Sequence, residues 1–276
     1  MHRVTANGAN IPAIGLGTWT LKDDAATSVV EGAIKAGYRH VDTAAMYDNE
    51  EAVGAGLRAG GLPRDEIFLT TKVWPSDIGA GDLQNSIEAS MKRLGVEYLD
   101  LALIHWPSKT IPLADSIKAL NDVHARGWAR NIGVSNFTAA MVAEASALSD
   151  RPLACNQVEY HPFLKQDKVL EACRKQGMAM VSYCPLARGG DLFGLPEVTG
   201  PAGKYGKTPA QIVLRWHVQQ DGVVAIPRST NADRVRQNIE IFDFALDSGE
   251  MAAITALQAR NHRICDFDFS PVWDCS

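Results

Sequence analysis

Asp42, Tyr47, Lys72 and His105 stand at the ends of three successive strand-like runs. Asp42 and Tyr47 follow Arg39-His40-Val41, Lys72 follows Ile67-Phe68-Leu69-Thr70-Thr71, and His105 follows Leu101-Ala102-Leu103-Ile104. Together they offer a carboxylate, a phenol, an amine and an imidazole. Reduction of a carbonyl needs a proton donor, and a phenol beside an ammonium is one, because the positive charge favours the phenolate and lowers its pKa. In this scheme Lys72 supplies the charge and Asp42 holds Lys72. His105 orients the carbonyl or shares the proton. Taken singly, a tyrosine is more often a packing residue, and a lone Asp, Lys or His a cap, a solvated end or a core side chain. The joint placement of the four at strand ends is what points to chemistry.

Such placement requires elements whose ends meet. Eight strand-like runs are read at Ile14–Gly17, Arg39–Asp42, Ile67–Lys72, Leu99–Ile104, Ala129–Val134, Leu153–Val158, Met178–Tyr183 and Val223–Ile226. Helical periods separate them. Asp24–Ala36 carries Val29, Val30, Ala33 and Ile34 at helical spacing and stops at Gly37. Leu83–Leu94 stops at Gly95, Leu113–Arg126 at Gly127 and Lys165–Lys175 at Gly177. Thr208 caps a further helix with Pro209 in its first turn. Strands alternating with helices predict parallel βα units, and a closed barrel of such units opens all its strand C-termini on one face. The fold class is therefore α/β, a (β/α)8 barrel forming one domain over residues 1–276. Arg3–Ala6 and Ile11–Ala13 flank the turn signal Asn7-Gly8 and predict an N-terminal hairpin. Pro185–Lys207, with six glycines and three prolines, reads as an irregular functional loop. The tail from His262 has no helical period but holds Phe267, Phe269 and Trp273.

Composition narrows the class. The 276 residues suit one large barrel, and a 46% hydrophobic share supports a sizeable core. A net charge of −5 and a pI near 5.8 argue against a nucleic-acid partner. Cys155, Cys173, Cys184, Cys265 and Cys275 are scattered without a Cys-x-x-Cys pair, so neither a metal site nor a redox motif is indicated. No apolar run approaches the roughly 20 residues of a membrane span, and Met1–Thr5 lacks a signal core, so a soluble cytoplasmic protein is expected. The string Gly54-Ala55-Gly56-Leu57-Arg58-Ala59 lies inside a helical pattern and is read as an accidental dinucleotide fingerprint. No Tyr-x-x-x-Lys occurs, against a short-chain dehydrogenase.

At these residues the chain resembles the aldo-keto reductase family. Gly37–Tyr47, Leu103–Pro107, Gly133–Phe137, Asn156–Pro162 and Ile226–Ser229 look like its successive signatures, and the short bacterial members similar to diketogluconate reductases are nearest. The resemblance implies NADP(H) extended across the strand C-termini, with Asp42, Tyr47, Lys72 and His105 as the catalytic tetrad. It places Thr18, Trp19, Asp42, Ser135, Asn136, Gln157, Tyr183 and Leu186 along the cofactor, with Tyr183 stacked on the nicotinamide. Asn136 and Gln157 are equally readable as buried strand-end polar groups, and Tyr183 as a core aromatic. At the adenosine end the implied residues are Arg228, Ser229, Thr230, Arg234, Gln237 and Asn238. Here the chain departs from the family, with Arg228 for the usual Lys and Gln237 for the usual Glu. Arginine still suits a 2′-phosphate through its planar fork of donors. NADPH is thus the expected cofactor, with NADH the weaker alternative.

Trp19, Trp74 and Trp106 follow strand ends and, with Tyr47 and His105, are the expected substrate contacts. Short loops predict a shallow, open pocket with broad tolerance, and dicarbonyls, keto-sugar acids and simple aldehydes all stay open as substrates. The function expected is reduction of a small carbonyl by a monomer, with no metal. The rival is a non-catalytic NADP(H)-binding, redox-sensing subunit; a glycosidase is disfavoured because no carboxylate pair sits at strand ends.

Overall fold

The computed structural model describes residues 2–274; Met1, Cys275 and Ser276 lie outside them. The predicted hairpin forms from β1 (Arg3–Ala6) and β2 (Ala9–Pro12), antiparallel, with Ala6 opposite Ala9. Asn7 and Gly8 both take positive φ in the two-residue turn, the backbone that such a hairpin requires. The hairpin closes the floor of the barrel, where Asn7 donates to the carbonyls of Leu153 and Gln176.

The barrel strands are β3 (Leu16–Gly17), β4 (His40–Asp42), β5 (Phe68–Val73), β6 (Leu99–Ile104), β7 (Ala129–Ser135), β8 (Cys155–Glu159), β9 (Ala179–Tyr183) and β10 (Val223–Ala225). All pair in parallel in chain order. The ring closes through an Ile14–Ala225 bridge, reinforced where Gly17 N donates to Pro227 O. A side chain on Gly17 would come within 2.8 Å of Ile226 O, so only glycine allows this approach of first and last strands. β5 and β6 are buried along their whole length, as strands covered on both faces must be.

Among the described residues ten helices wrap the outside: α1 (Asp23–Lys35), α2 (Glu50–Ala59), α3 (Asp82–Leu94), α4 (Leu113–Ala125), α5 (Ala139–Leu148), α6 (Asp167–Lys175), α7 (Pro196–Tyr205), α8 (Pro209–Val218), α9 (Ala232–Ile239) and α10 (Ser248–Ala256). Thr208 caps α8 in a capping box with Gln211. Gly54 and Gly56 lie in α2, where side chains would strike Leu94 O and Thr27 O, so this string serves close helix packing. The segment read as irregular, Pro185–Lys207, is corrected: it holds a 3-10 turn at Gly190–Gly194 and then α7. Pro196 opens α7 where no amide bond is lost, and burial of Val198, Pro201 and Ala202 holds the helix despite the interior proline. Among the described residues no helix is long and apolar enough to cross a membrane.

Candidate active site

Successive strand ends deliver Asp42, Tyr47 and His105 to the lining of one cleft of about 830 Å³, with Lys72 buried behind it. Asp42 ends β4, and Lys72 lies one residue before the end of β5. His105 immediately follows β6, its amide held by Val73 O. Tyr47 comes from a 3-10 turn after β4 that ends in left-handed Asp48. Lys72 is fully buried, and its ammonium donates to Asp42 Oδ1 at 2.5 Å, Thr43 O at 2.8 Å and Tyr47 Oη at 3.3 Å. The Tyr47 and His105 rings meet edge to face at 5.6 Å.

Electrostatics correct one expectation. Burial pushes the Tyr47 phenol above its ordinary value; Lys72 pulls it back but does not reverse the shift, and Asp42 adds to the rise. A buried charge costs more than the neighbouring ammonium returns, so the phenol is not lowered overall. For Lys72, burial works against the charge, but Asp42 and Tyr47 outweigh it and hold the amine above its ordinary value. His105 is pushed well below 6.5 by burial and then by the Lys72 charge, so it is neutral at pH 7. Its Nδ1 is buried and has no hydrogen-bond partner among the described residues.

The amides and hydroxyls around the tetrad form one connected network. Gln157 donates to Asp42 Oδ2 at 2.7 Å, so Asp42 is held from both sides. Asn136, at φ 63°, donates to His105 O and to Ser135 Oγ, and accepts from Tyr183 Oη at 2.7 Å. Thr18 donates to Asp42 O. Asn136, Gln157, Tyr183 and Leu186 line the cleft, whereas Ser135 is fully buried behind it, donating to Gln157 O. Ser135 thus sits one layer deeper than the resemblance implied.

Arg228, Ser229, Thr230, Arg234, Gln237 and Asn238 line one end of the same cleft, and Thr18 and Trp19 line it too. Asn231 caps α9 by accepting from Arg234 N. Two guanidinium groups, two hydroxyls and the start of a helix make a donor set that fits a phosphate. Arg228 also donates to Trp19 O at 3.1 Å and to Thr20 Oγ1, tying the loop after β3 to that after β10. At the opposite end Trp19, Trp74 and Trp106 form apolar walls. The tail packs there: Phe269 meets Trp74 and Trp106 edge to face at 5.3 and 5.2 Å, and Trp273 meets Trp106 at 5.9 Å. Of the three tail aromatics, Phe267 lines the cleft, and with Trp19 and Met46 it leaves an exposed apolar rim.

Four contributors were missed from sequence. Buried Asn49 donates to Thr18 O and Leu21 O and accepts from Thr43, fixing the loop after β3. Its only local signal is its place just before α2. Glu159, fully buried, accepts from His161 Nε2 and from the amides of Ile264 and Cys265, which anchors the tail to β8. Cys184 and Arg188 join the cleft wall from the left-handed stretch after β9.

A family model described as the aldo/keto reductase family matches residues 13–192 and 196–259. An aldo-keto reductase of Mycolicibacterium smegmatis is 41% identical over 258 residues, covering 93% of each chain. Among solved structures, a candidate 2,5-diketo-D-gluconic acid reductase B superimposes with a TM-score of 0.96 at 42% identity, covering 100% of this chain and 98% of that one. A Bombyx mori aldo-keto reductase in complex with NADP superimposes at 0.89 and 35% identity, covering 96% and 95%.

Proposed function

Because the chain belongs to the aldo-keto reductase family and so is an oxidoreductase of the carbonyl-reducing kind, we propose that it reduces small aldehydes and ketones with NADPH, Tyr47 acting as the general acid. The observation that carries this reading is the buried Lys72 ammonium behind the cleft wall, bonded at once to Asp42, Thr43 O and Tyr47 Oη. A bound nicotinamide would supply the hydride. Asn136, Gln157 and Tyr183 are the side chains that would hold it, with Tyr183 fixed by its bond to Asn136. Arg228, Ser229 and Arg234 would take the 2′-phosphate.

Tyr47 Oη would give its proton to the carbonyl oxygen. Lys72 stabilises the phenolate that remains, and Asp42 with Gln157 keeps Lys72 in place. Since His105 is neutral at pH 7, it orients the carbonyl as a hydrogen-bond donor and leaves the acid role to Tyr47. Its proton is cheapest on Nε2, because an unpaired acceptor at buried Nδ1 costs less than an unpaired N–H there. The apolar walls suit an aromatic or aliphatic aldehyde more than a highly charged acid.

The test is loss of NADPH absorbance with a panel of aldehydes, dicarbonyls and keto-sugar acids, with NADH in parallel. Tyr47→Phe should lower kcat by about 10²- to 10⁴-fold while NADPH affinity stays within about twofold. Retained turnover would remove Tyr47 from the acid role. Tight NADPH binding by the wild type without any turnover would favour a binding subunit instead.

A further inference from the structure

The chain holds a pair of thiols that carbonyl reduction does not use. Cys184 follows Tyr183 at the end of β9, and Cys265 lies in the tail; both line the cleft. The Cys184 and Cys265 thiols interact directly, and Arg188, which lines the same stretch of cleft, acts on Cys184 as well. Each partner is pinned by its surroundings. The Cys265 amide donates to Glu159 Oε2 at 2.7 Å. Next to Cys184, the Tyr183 hydroxyl is held by Asn136. Cys184, Ala187, Arg188, Gly189 and Gly190 all take positive φ, an uncommon run for a chain that could have turned more simply.

We propose that Cys184 and Cys265 form a reversible dithiol–disulfide site at the edge of the cleft, oxidised by hydroperoxides. Cys184 is the attacking sulfur. The Cys265 hydrogen bond, and then Arg188, hold its thiol below the ordinary range against the effect of burial. Cys155 and Cys173 are buried, and burial pushes both thiols up, Cys173 to about 12, so neither competes. The Cys184 thiolate attacks the peroxide, forming S–O as O–O breaks and releasing hydroxide or alkoxide. The Cys265 sulfur then attacks Cys184, forming S–S as S–O breaks; the departing hydroxide leaves as water with the Cys265 proton. Two thiols lose two electrons, and hydrogen peroxide becomes two waters. The product ties the tail bearing Phe267 to the strand end bearing Tyr183, a cross-link between the two sides of the cleft.

The experiment treats wild-type and Cys275→Ser protein with hydrogen peroxide, blocks the remaining thiols, and measures intact mass and linked peptides. Cys275→Ser removes the one thiol outside the described residues. The expected result in both proteins is a loss of about 2 Da before blocking, two fewer blocked thiols than in the reduced control, a peptide joining Cys184 to Cys265, and recovery with dithiothreitol. Alkylation of Cys184 should fall at least about tenfold on oxidation and return on reduction. Cys184→Ser and Cys265→Ala should each abolish the link. A gain of about 32 Da on Cys184 with Cys265 still free would overturn the proposal. So would a link that runs instead to Cys155, Cys173 or Cys275. The wild-type peptide map decides the matter even if a variant folds poorly.

Discussion

Replacing Lys72 with methionine tests the centre of the site through stability as well as rate. Methionine keeps an unbranched apolar stem and removes only the ammonium. Three bonds go with it, to Asp42, Thr43 O and Tyr47 Oη. Asp42 is then a buried carboxylate with Gln157 as its remaining side-chain donor. Removing one partner of a buried ion pair costs about 3–5 kcal/mol, because the other charge stays desolvated. At roughly 2–3 °C per kcal/mol for a chain of this size, Tm should fall by about 6–15 °C. Adding Asp42→Asn removes the stranded charge, so the double variant should regain most of that loss although neither protein turns over. The assay is thermal unfolding of the free protein followed by circular dichroism, with aldehyde reduction measured beside it. A Lys72→Met Tm within about 2 °C of wild type, or a double variant no more stable than the single, would refute the uncompensated-charge argument.

Glu159→Gln leaves an amide facing the N–H groups of Ile264 and Cys265, so exchange of the amides from 264 to 270 should accelerate at least about tenfold; unchanged exchange would show that the tail is held elsewhere. The same carboxylate sets an acid limit. Burial opposes its charge, but His161 and the two tail amides outweigh burial and hold it below 4.5. A carboxyl depressed in the folded state contributes stability above its unfolded pKa and loses it as pH falls through the lower, folded value. Tail fluorescence from Trp106 and Trp273 should therefore stay constant down to the ordinary glutamate range and change only below it; a change beginning near pH 6 would count against this anchor. Arg228→Ala should weaken NADPH about 10- to 100-fold and NADH less than about threefold, and equal losses in a fluorescence titration would remove Arg228 from the 2′-phosphate.

The barrel was legible because its signals are local. Buried apolar runs of strand length and helices ending in glycine repeat down the chain, and the tetrad residues fall at the strand ends. Helices α5 and α10 were not read because alanine-rich segments show little polar face, and α7 because its prolines and glycines imitate a loop. The candidate site side chains could be named but not their electrostatics. Whether Lys72 or burial decides the Tyr47 pKa depends on how much water the fold removes, which spacing does not record. The second layer was hidden for a different reason. Asn49, Glu159 and the Cys184–Cys265 pair act across long separations, and a lone Asn, Glu or Cys in the sequence carries no mark of its partner.

The closure of β3 against β10 also sets when the site can exist. All four tetrad residues have been synthesised once the ribosome passes His105, yet Asp42 waits 115 residues for Gln157, and Trp19 waits 209 for Arg228. A nascent chain that stops before Val223 carries all four proposed catalytic residues beside two unpaired strand edges, β3 and β9. Such edges recruit other strands, and long-range parallel pairing is slow to form. Competence therefore arrives only with the last strand, and the interval before it is when the growing polypeptide most needs shielding from its neighbours.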